Sequence, residues 1–414
     1  MAINNEQNKL NVPHLRFPEF HGEWEKCKVS DLLDFYSTNS LSWDQLEYGT
    51  DNMLNLHYGL IHVGLPAMVD LSKDILPAIK KENEPKNFEL CKEGDIAFAD
   101  ASEDTNEVAK AIEFYTLEDK AVVCGLHTIH GRDKSNKTVV GYKGYAFSST
   151  AFHHQIRRIA QGTKIYSISA KNFAECYIGI PSKEEQTKIA KLLRLIDERI
   201  ATQSKLIEKL ESLIKGINQY VFTNNGVNYK LGELCEIRSG YSGNQLLSKS
   251  GLKVSRIETI SGHKVNMERI GYVAPFDSSE NYRLRIGDIL FSNINSVEYI
   301  GNTAFIDKDY DLYHGMNLLR LTPNDKVVMP FYLYLLLNTN RMLNRFKTIC
   351  NKAVSQASIN QTELGKTVVQ IHDVNAQKQI CELYQALYDK LESEIYANSL
   401  FQKQKQYLLR QMFI

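Results

Sequence analysis

The chain has 414 residues, of which 43% are hydrophobic and 24% charged, and 49 Lys and Arg residues balance 49 Asp and Glu residues. This composition is typical of a globular protein of two to three domains, and it excludes collagen-like, disordered and disulfide-scaffold proteins. A protein that coats nucleic acid without sequence preference would usually be basic. Any nucleic-acid binding by this neutral chain must therefore use local patches or charge from a partner.

The N-terminal residues and the cysteines predict a cytoplasmic protein. Residues 1–11 are rich in Asn and lack the apolar core of a signal peptide. No apolar run approaches the roughly 20 residues of a membrane helix. The seven cysteines are scattered and never spaced C-x-x-C, which indicates reduced thiols in protein cores. We therefore expect no membrane association.

Alternating four- and three-residue steps define an apolar seam between Ser182 and Phe222, and nine of its ten positions are aliphatic. The seam positions are Ile189, Leu193, Ile196, Ile200, Gln203, Ile207, Leu210, Ile214, Ile217 and Val221. This heptad pattern predicts a long coiled-coil helix over residues 182–223. Ser182 is a candidate N-cap, and Glu185 completes a capping box with it. The sequence Asn224-Asn225-Gly226 predicts the end of the helix.

A second long helix is predicted over residues 373–414, because adding 191 to each seam position again gives a mostly apolar set. These positions are Ile380, Tyr384, Leu387, Leu391, Glu394, Asn398, Phe401, Lys405, Leu408 and Met412. Three of the ten are polar, so the periodicity is weaker than in the first helix.

The segments before the two helices also repeat. Val29-Ser30-Asp31-Leu32 resembles Leu231-Gly232-Glu233-Leu234, and Gly94-Asp95-Ile96 resembles Gly287-Asp288-Ile289. The chain is therefore predicted to contain two copies of one mixed α/β (α+β) unit, residues 24–222 and 228–414. Within them, the predicted strands are residues 95–99, 120–129 and 288–293, and the predicted helices are residues 151–160 and 330–346.

Basic residues are unevenly distributed. Residues 24–119 contain 8 Lys or Arg against 20 Asp or Glu, whereas residues 120–181 contain 9 against 2, a net charge of +7. Residues 228–372 contain 17 against 13, a net charge of +4. The basic clusters are interleaved with aromatic residues, a pattern that suits phosphate and base contacts in DNA. The candidate DNA-binding residues are Arg132, Lys134, Lys137, Lys143, Arg157, Arg158, Lys164, Lys249, Lys253, Arg256, Arg283, Arg285, Arg341, Arg345 and Lys352. An ordinary solvated surface is the alternative.

Motifs for catalysis are weak, and we expect no catalytic residue. An amino-methyltransferase needs a loop with two consecutive prolines, and none of the nine prolines forms such a pair. Gly365-Lys366-Thr367 resembles the end of a phosphate-binding loop, but Asn360 stands where its first glycine is required. His153 and His154 have no nucleophile or paired carboxylate beside them, so surface or nucleic-acid contact is favoured over a general base.

Two further clusters are interpreted as structural. Cys124, His127 and His130 suggest zinc, but on a strand Cys124 and His130 share one face while His127 points away. No fourth ligand lies near in sequence, so we expect no metal site. Asp95 and Asp288 could suggest a nuclease, but Gly-Asp before an apolar run is typical of a turn that enters a strand.

Three motifs carry a family resemblance. They are Leu15-Arg16-Phe17-Pro18-Glu19-Phe20 with Glu23-Trp24, Ile178-Gly179-Ile180-Pro181 with Glu185-Gln186-x-x-Ile189, and the closing segment Gln402–Met412. With the order domain, helix, domain, helix, the chain resembles the specificity subunit of a type I restriction-modification system. The resemblance covers nearly the whole chain.

The resemblance implies two similar target-recognition domains, each of which reads half of a bipartite site in double-stranded DNA. It also implies two long antiparallel coiled-coil helices that set the spacing and an internal pseudo-twofold repeat. Two methyltransferase subunits would dock on the helices, and two restriction subunits could join them. S-adenosylmethionine, ATP and Mg²⁺ would belong to these partners, so this chain would need no cofactor. The expected helix-pairing and partner residues are Ile189, Leu193, Ile196, Ile200, Ile207, Leu210, Ile380, Leu387, Leu391 and Leu408.

The expected boundaries are an N-terminal segment (1–23), a first domain (24–181), a first helix (182–223), a second domain (228–372) and a second helix (373–414). His372 departs from the family pattern, because a proline precedes the first helix at the equivalent position. Two other functions stay open at this point. One is a coiled-coil adaptor that does not read DNA, and the other is a diverged standalone methyltransferase or nuclease.

Overall fold

A computed structural model of the chain describes residues 11–50, 52–222, 226–352 and 356–414. Its contacts divide into two compact units, the first formed by Met1–Lys205 with Ile395–Ile414 and the second by Leu206–Glu394. Each unit combines one domain with the parts of both long helices that pack on it. The expected boundaries, which list each long helix as a segment of its own, stay a prediction.

The first unit is built around a five-stranded sheet of order β2-β11-β7-β9-β5 and a four-stranded sheet of order β10-β4-β6-β3. Its strands are β1 (Glu25–Lys28), β2 (Leu33–Tyr36), β3 (Leu46–Glu47), β4 (Leu54–Leu56), β5 (Met68–Asp70), β6 (Ala78–Ile79), β7 (Ile96–Ala99), β8 (Ala101–Ser102), β9 (Ala111–Thr116), β10 (Val122–Cys124), β11 (Thr128–Asp133), β12 (Tyr166–Ser167) and β13 (Tyr177–Ile180). Its helices are α1 (Val29–Leu32), α2 (Tyr58–His62), α3 (Lys143–Phe147), α4 (Thr150–Ile159), α5 (Ala170–Ala174) and the first part of α6 (Lys183–Val221). Short 3-10 helices lie at Trp43–Gln45 and Lys81–Asn83.

The second unit is built around a four-stranded sheet of order β15-β21-β18-β20. Its strands are β14 (Val227–Lys230), β15 (Cys235–Ser239), β16 (Leu252–Val254), β17 (Gly271–Val273), β18 (Ile289–Phe291), β19 (Ile294–Asn295), β20 (Thr303–Phe305), β21 (Leu319–Pro323), β22 (Asn351–Lys352), β23 (Ala357–Ser358) and β24 (Val368–Ile371). Its helices are α7 (Leu231–Leu234), α8 (Pro330–Leu337), α9 (Asn340–Ile349), α10 (Gln361–Lys366) and the first part of α11 (Val374–Gln411), with 3-10 helices at Ile257–Ile260 and Ser279–Tyr282.

The internal repeat is confirmed by the order of the elements. In each unit an opening strand pairs antiparallel with the strand that precedes the long helix, β1 with β13 and β14 with β24. A one-turn helix follows the opening strand, and the next strand pairs antiparallel with a central strand, β2 with β11 and β15 with β21. The first unit adds the sheet β10-β4-β6-β3, so the two copies differ away from their shared framework.

Both long helices lie where the heptad pattern places them, but two shorter predictions need correction. The strand predicted at 120–129 is two strands, β10 and β11, because the chain turns between them and His127 adopts a left-handed φ of 54°. The helix predicted at 330–346 is two helices, α8 and α9. Thr339 separates them, since its side chain caps α9 by accepting a hydrogen bond from the Met342 N–H.

A buried glutamine anchors the start of each long helix to its own domain. Gln186 accepts the Val139 N–H at 2.9 Å and donates to the carbonyls of Lys137 and Pro181. Gln377 repeats this network through the Met329 N–H and the carbonyls of Val327 and His372. Both glutamines are almost fully buried, so their amides satisfy backbone groups that water cannot reach.

The predicted capping box at Ser182 forms only in part. The Ser182 hydroxyl accepts the Glu185 N–H at 3.3 Å, as an N-cap should. The Glu185 carboxylate, however, accepts two hydrogen bonds from the Arg16 guanidinium, at 2.7 and 2.8 Å. The N-terminal segment is thereby tied to the first turn of α6. The predicted stop at Asn224-Asn225 lies outside the described residues.

In the first unit, the beginning of α6 packs against the end of α11. Ile189, Leu193 and Ile196 share a core with Leu408 and Met412, and Ile200 packs against it in part. Full burial of one such side chain stabilises the fold by about 1.5–3 kcal/mol. The two segments run antiparallel, because Asp197 pairs with Lys405 at 2.6 Å while Ser204, further along α6, contacts Asn398, earlier in α11.

In the second unit, Ile214 of α6 and Phe222, directly after this helix, share a core with Ile380 and Tyr384 of α11. Leu387 and Leu391 pack against this core in part. Ile207 and Leu210 are half-buried and join no core cluster among the described residues. The expected pairing residues are therefore most tightly packed near each domain. No helix within the described ranges is both long and apolar enough to cross a lipid bilayer.

Candidate nucleic-acid interface

The structure divides the candidate DNA-binding residues into those with internal acidic partners and those without. Five surface side chains have a carboxylate partner: Lys134 with Asp34, Lys137 with Glu25, Lys253 with Asp311, Arg256 with Glu258 and Arg283 with Asp309. Surface ion pairs contribute only about 0–1 kcal/mol, so a phosphate can compete for these cations. DNA contact by these five residues stays a prediction.

The prediction that Lys143 contacts DNA is wrong, because its side chain is 2% exposed. Its ammonium pairs at 3.0 Å with Glu113, which is fully buried and also accepts the N–H groups of Gly141 and Gly144. Burial raises the pKa of Glu113, and this effect outweighs the Lys143 charge and the hydrogen bonds, which lower the pKa. Removing one partner of a buried pair typically costs about 3–5 kcal/mol, so Lys143 has a structural role.

Arg132 also has a structural role, and its prediction as a DNA contact needs correction. Its guanidinium donates to both carboxylate oxygens of Asp95, to Glu89 and to the Leu90 carbonyl, and it lies 4.6 Å from the centre of the Tyr36 ring. Burial alone would raise the pKa of Asp95, but hydrogen bonds from His130 and Arg132 lower it. Four of the five N–H donors of Arg132 are therefore directed to groups of the protein itself.

Asp95 and Asp288 occupy equivalent turns, as the interpretation of the Gly-Asp-Ile motif requires. The Asp95 carboxylate accepts the Lys92 N–H, and the Asp288 carboxylate accepts the Arg285 N–H three residues before it. Each also contacts the neighbouring central strand, Asp95 through His130 and Asp288 through Thr322. These contacts give both aspartates a framework role.

Eight candidates have no ion pair within the described residues: Arg157, Arg158, Lys164, Lys249, Arg285, Arg341, Arg345 and Lys352. All eight are exposed, and within the described ranges the only side-chain hydrogen bond among them is the weak contact of Arg157 with Asn106, at 3.4 Å. An exposed cation without an internal partner is free to neutralise a phosphate. These residues are the strongest candidates for DNA contact.

Four of these eight residues lie on α4 and α9, which are equivalent helices of the two copies. Each helix has ten residues and a hydroxyl N-cap, Ser149 for α4 and Thr339 for α9. The buried face carries Phe152 and Ile156 in α4, and Met342 and Phe346 in α9. The exposed surface carries Arg157 and Arg158 in α4, and Arg341 and Arg345 in α9. Each copy therefore presents a basic helix face fixed by its own core.

His153 belongs to α4 and is half-buried, whereas the sequence favoured a surface position. Burial is the main reason that its pKa falls to about 4, so its ring is neutral near pH 7. Its Nδ1 is buried without a hydrogen-bond partner among the described residues. His154 is exposed beside it. This arrangement gives no support to a general base at this position.

The prediction from the sequence did not name the exposed apolar side chains on the outer surfaces of the long helices, because it considered the seam positions alone. Leu206, Leu213 and Tyr220 are spaced by seven residues on α6 within the second unit, and Tyr220 is 80% exposed. On α11 within the first unit, Ile395, Tyr396, Leu400 and Tyr407 are also exposed. A second heptad count, offset from the seam, would have found the α6 row.

The family model "Type I restriction modification DNA specificity domain" matches this chain twice, at residues 22–212 and 225–398. The chain belongs to this family. The two matches coincide with the two copies of the repeat, and each contains one of the basic helices α4 and α9. The predicted family is therefore confirmed.

Relatives of this specificity-domain family match parts of the chain. A putative type I restriction enzyme MjaX specificity subunit from Methanocaldococcus jannaschii is 44% identical over 150 residues, which is 36% of this chain and 35% of that protein. The type I restriction enzyme EcoKI specificity subunit of Escherichia coli is 23% identical over 282 residues, 62% of this chain and 60% of the relative. The matched regions thus span about a third and three fifths of these relatives.

The fold is also found in a solved structure. The crystal structure of the type I restriction-modification system S subunit from M. genitalium superposes with a TM-score of 0.59 at 16% identity, over 97% of this chain and 99% of that one. At this level of identity the likeness concerns the fold. It confirms the predicted mixed α/β architecture with two domains and long helices.

Proposed function

We propose that this chain is the DNA-specificity subunit of a type I restriction-modification complex, in which each domain reads one half of a bipartite site. The observation that carries the proposal is that one family domain occurs twice in the chain and that each copy has an exposed basic helix. Two related but divergent readers suit an asymmetric sequence in two parts. Lys and Arg on these helices would hold phosphates, while Arg and neighbouring Asn or Gln side chains would read base edges.

We further propose that the chain supplies recognition and that its partners supply catalysis. Methylation of adenine, with S-adenosylmethionine, would belong to two methyltransferase subunits, and ATP- and Mg²⁺-dependent cleavage to restriction subunits. The framework roles of Asp95 and Asp288 support this division, because these two carboxylates, which suggested a nuclease, are engaged in hydrogen bonds within the fold. The seven buried free cysteines suit a cytoplasmic location.

The exposed apolar rows on the long helices support docking of the methyltransferase subunits there. Within the second unit, Leu213 and Tyr220 border a shallow surface groove on α6 that also includes Gly216. Contiguous exposed apolar surface on a water-soluble protein usually marks an interaction site. Within the first unit, Leu400 and Tyr407 on α11 are exposed as well and would offer apolar surface of their own.

Replacing Arg157 and Arg158 of α4 with alanine should weaken DNA binding by the chain in complex with its methyltransferase. Each lost phosphate contact changes the slope of log K against log salt by about 0.9, so the slope should become shallower by about one to two units. The measurement is fluorescence anisotropy with a duplex that carries the recognised site, over a salt series.

A matched control removes the same charge from Lys28 and Lys73, two lysines of the same domain that are not candidate DNA contacts and that pair with Glu175 and Asp70. This variant should keep the wild-type slope. An unchanged slope in the α4 variant, or equal slopes in both variants, would show that the exposed face of α4 is not the phosphate contact.

A further inference from the structure

Two cysteines and a histidine meet in the interior of the first unit. Cys91, Cys124 and His130 are 6%, 3% and 0% exposed, and one ligand atom from each lies within 4.8 Å of the other two. The sulfur atoms of the cysteines are 3.6 Å apart, although 33 residues separate them in sequence. This cluster brings three preferred ligands of transition metals together.

The histidine of the cluster is oriented by a carboxylate. His130 Nε2 bonds to Asp95 at 2.8 Å, and Asp95 is held in turn by Arg132. The other ring nitrogen, Nδ1, is buried and has no hydrogen-bond partner among the described residues. A carboxylate on one imidazole nitrogen commonly fixes a histidine whose other nitrogen binds a metal. The arrangement leaves Nδ1 as the nitrogen available for a ligand.

We propose that Cys91, Cys124 and His130 bind a zinc ion. A tetrahedral ion with Zn–S bonds of about 2.3 Å holds its sulfur ligands about 3.8 Å apart, close to the separation observed here. On binding, each thiol loses its proton to solvent, and the two thiolates balance the two positive charges of the ion. The buried site thereby stays neutral, which avoids the cost of an uncompensated charge. A water molecule or another small ligand completes the fourth position.

The zinc ion would link the two sheets of the first domain. Cys124 ends β10 in the four-stranded sheet, and His130 lies on β11 in the five-stranded sheet. Cys91 lies in the segment before β7, and its N–H donates to the Val122 carbonyl at 2.8 Å. Because none of the three ligands lies on α4, we assign the zinc ion a structural role and not a role in DNA contact.

The ligand set differs from the zinc hypothesis that the sequence suggested. His127 points away as expected, since its Nδ1 lies 3.1 Å from Asp100 and its side chain is half exposed. Cys91 takes its place, a residue too distant in sequence to form a recognisable motif. In the second copy the equivalent positions hold Leu284, His314 and Arg320, so we expect one zinc ion per chain.

The test is titration of the full-length, reduced and metal-free chain with Co²⁺, followed by displacement with Zn²⁺. One equivalent of Co²⁺ should produce sulfur-to-cobalt charge-transfer absorption and the intense d–d bands of tetrahedral coordination. Cys91→Ser and Cys124→Ser should lose the charge-transfer absorption. Cys176→Ser, which removes another buried cysteine of the same unit, and His127→Ala should retain it.

X-ray absorption at the zinc edge keeps the test independent of whether the variants fold. The wild-type chain should show two sulfur ligands at about 2.3 Å and nitrogen at about 2.0 Å. Absence of thiolate–cobalt absorption in the reduced wild type, or a zinc shell of only oxygen and nitrogen, would overturn the proposal. An unchanged cobalt spectrum in folded Cys91→Ser and Cys124→Ser chains would overturn it as well.

Discussion

Replacement of residues 24–180 with the first domain of another specificity subunit should change one half of the recognised DNA sequence and leave the other half intact. The exchange runs from the start of β1 to the end of β13, so both partner strands move together. Gln186 of α6 holds the incoming domain through backbone groups, which any side chain sequence can supply. The hybrid should therefore keep its attachment to the helix.

The readout of this exchange is the methylated motif of the hybrid co-expressed with its methyltransferase. Exchange of the second domain, residues 228–372, is the matched control and should alter the opposite half. As a second control, a chain in which the native first domain is rejoined through the same two junctions should keep both halves of the recognised sequence. A hybrid in which both halves change would show that the two domains do not read DNA independently.

Lengthening both long helices by one heptad should keep both half-sites and increase their separation by about three base pairs. Seven residues add about 10.5 Å to a helix at 1.5 Å per residue, and B-DNA rises 3.4 Å per base pair. A whole heptad keeps the apolar seam in register. Because α6 and α11 run antiparallel in the first unit, with Arg199 beside Phe401, the insertions belong after Ile200 and after Phe401.

An insertion in α6 alone is the control for this prediction. It leaves Asp197 opposite Lys405 but moves Ser204 a full heptad away from Asn398. The lengthened apolar seam of α6 then no longer matches the seam of α11, so assembly with the methyltransferase should fail.

The double insertion also rotates one half-site relative to the other by about 100°, at about 10.5 base pairs per turn, which should lower activity. An unchanged spacer with intact methylation would mean that the helices do not set the distance.

The long helices and the repeat were predictable because they depend on local periodicity. A seven-residue pattern records which side of a helix is buried, and a constant offset of 191 records duplication. The polar residues on the seam of α11 make its heptad pattern less apolar than that of α6. In the structure Lys405 pairs with Asp197 and Asn398 contacts Ser204, so the seam includes specific polar partners.

The exposure of the basic residues was not predictable, because it depends on contacts between distant segments. Lys143 and Arg157 are both basic residues of the stretch 120–181, and nothing in the sequence distinguishes their exposure. In the structure, Lys143 pairs with Glu113 in the core, whereas Arg157 lies on an exposed helix face. The same reason explains why Cys91 was missed beside Cys124. Composition identified the basic region, and tertiary structure determined which of its members are free to contact DNA.

The most direct test is to express the chain with its neighbouring methyltransferase in a host without other adenine methylation and to map methylated adenines by long-read sequencing. We expect one asymmetric motif of two defined half-sites separated by a fixed number of unspecified bases. We also expect no methylation when either protein is expressed alone. Methylation by this chain alone, or methylation by the pair at a single continuous site, would contradict the account.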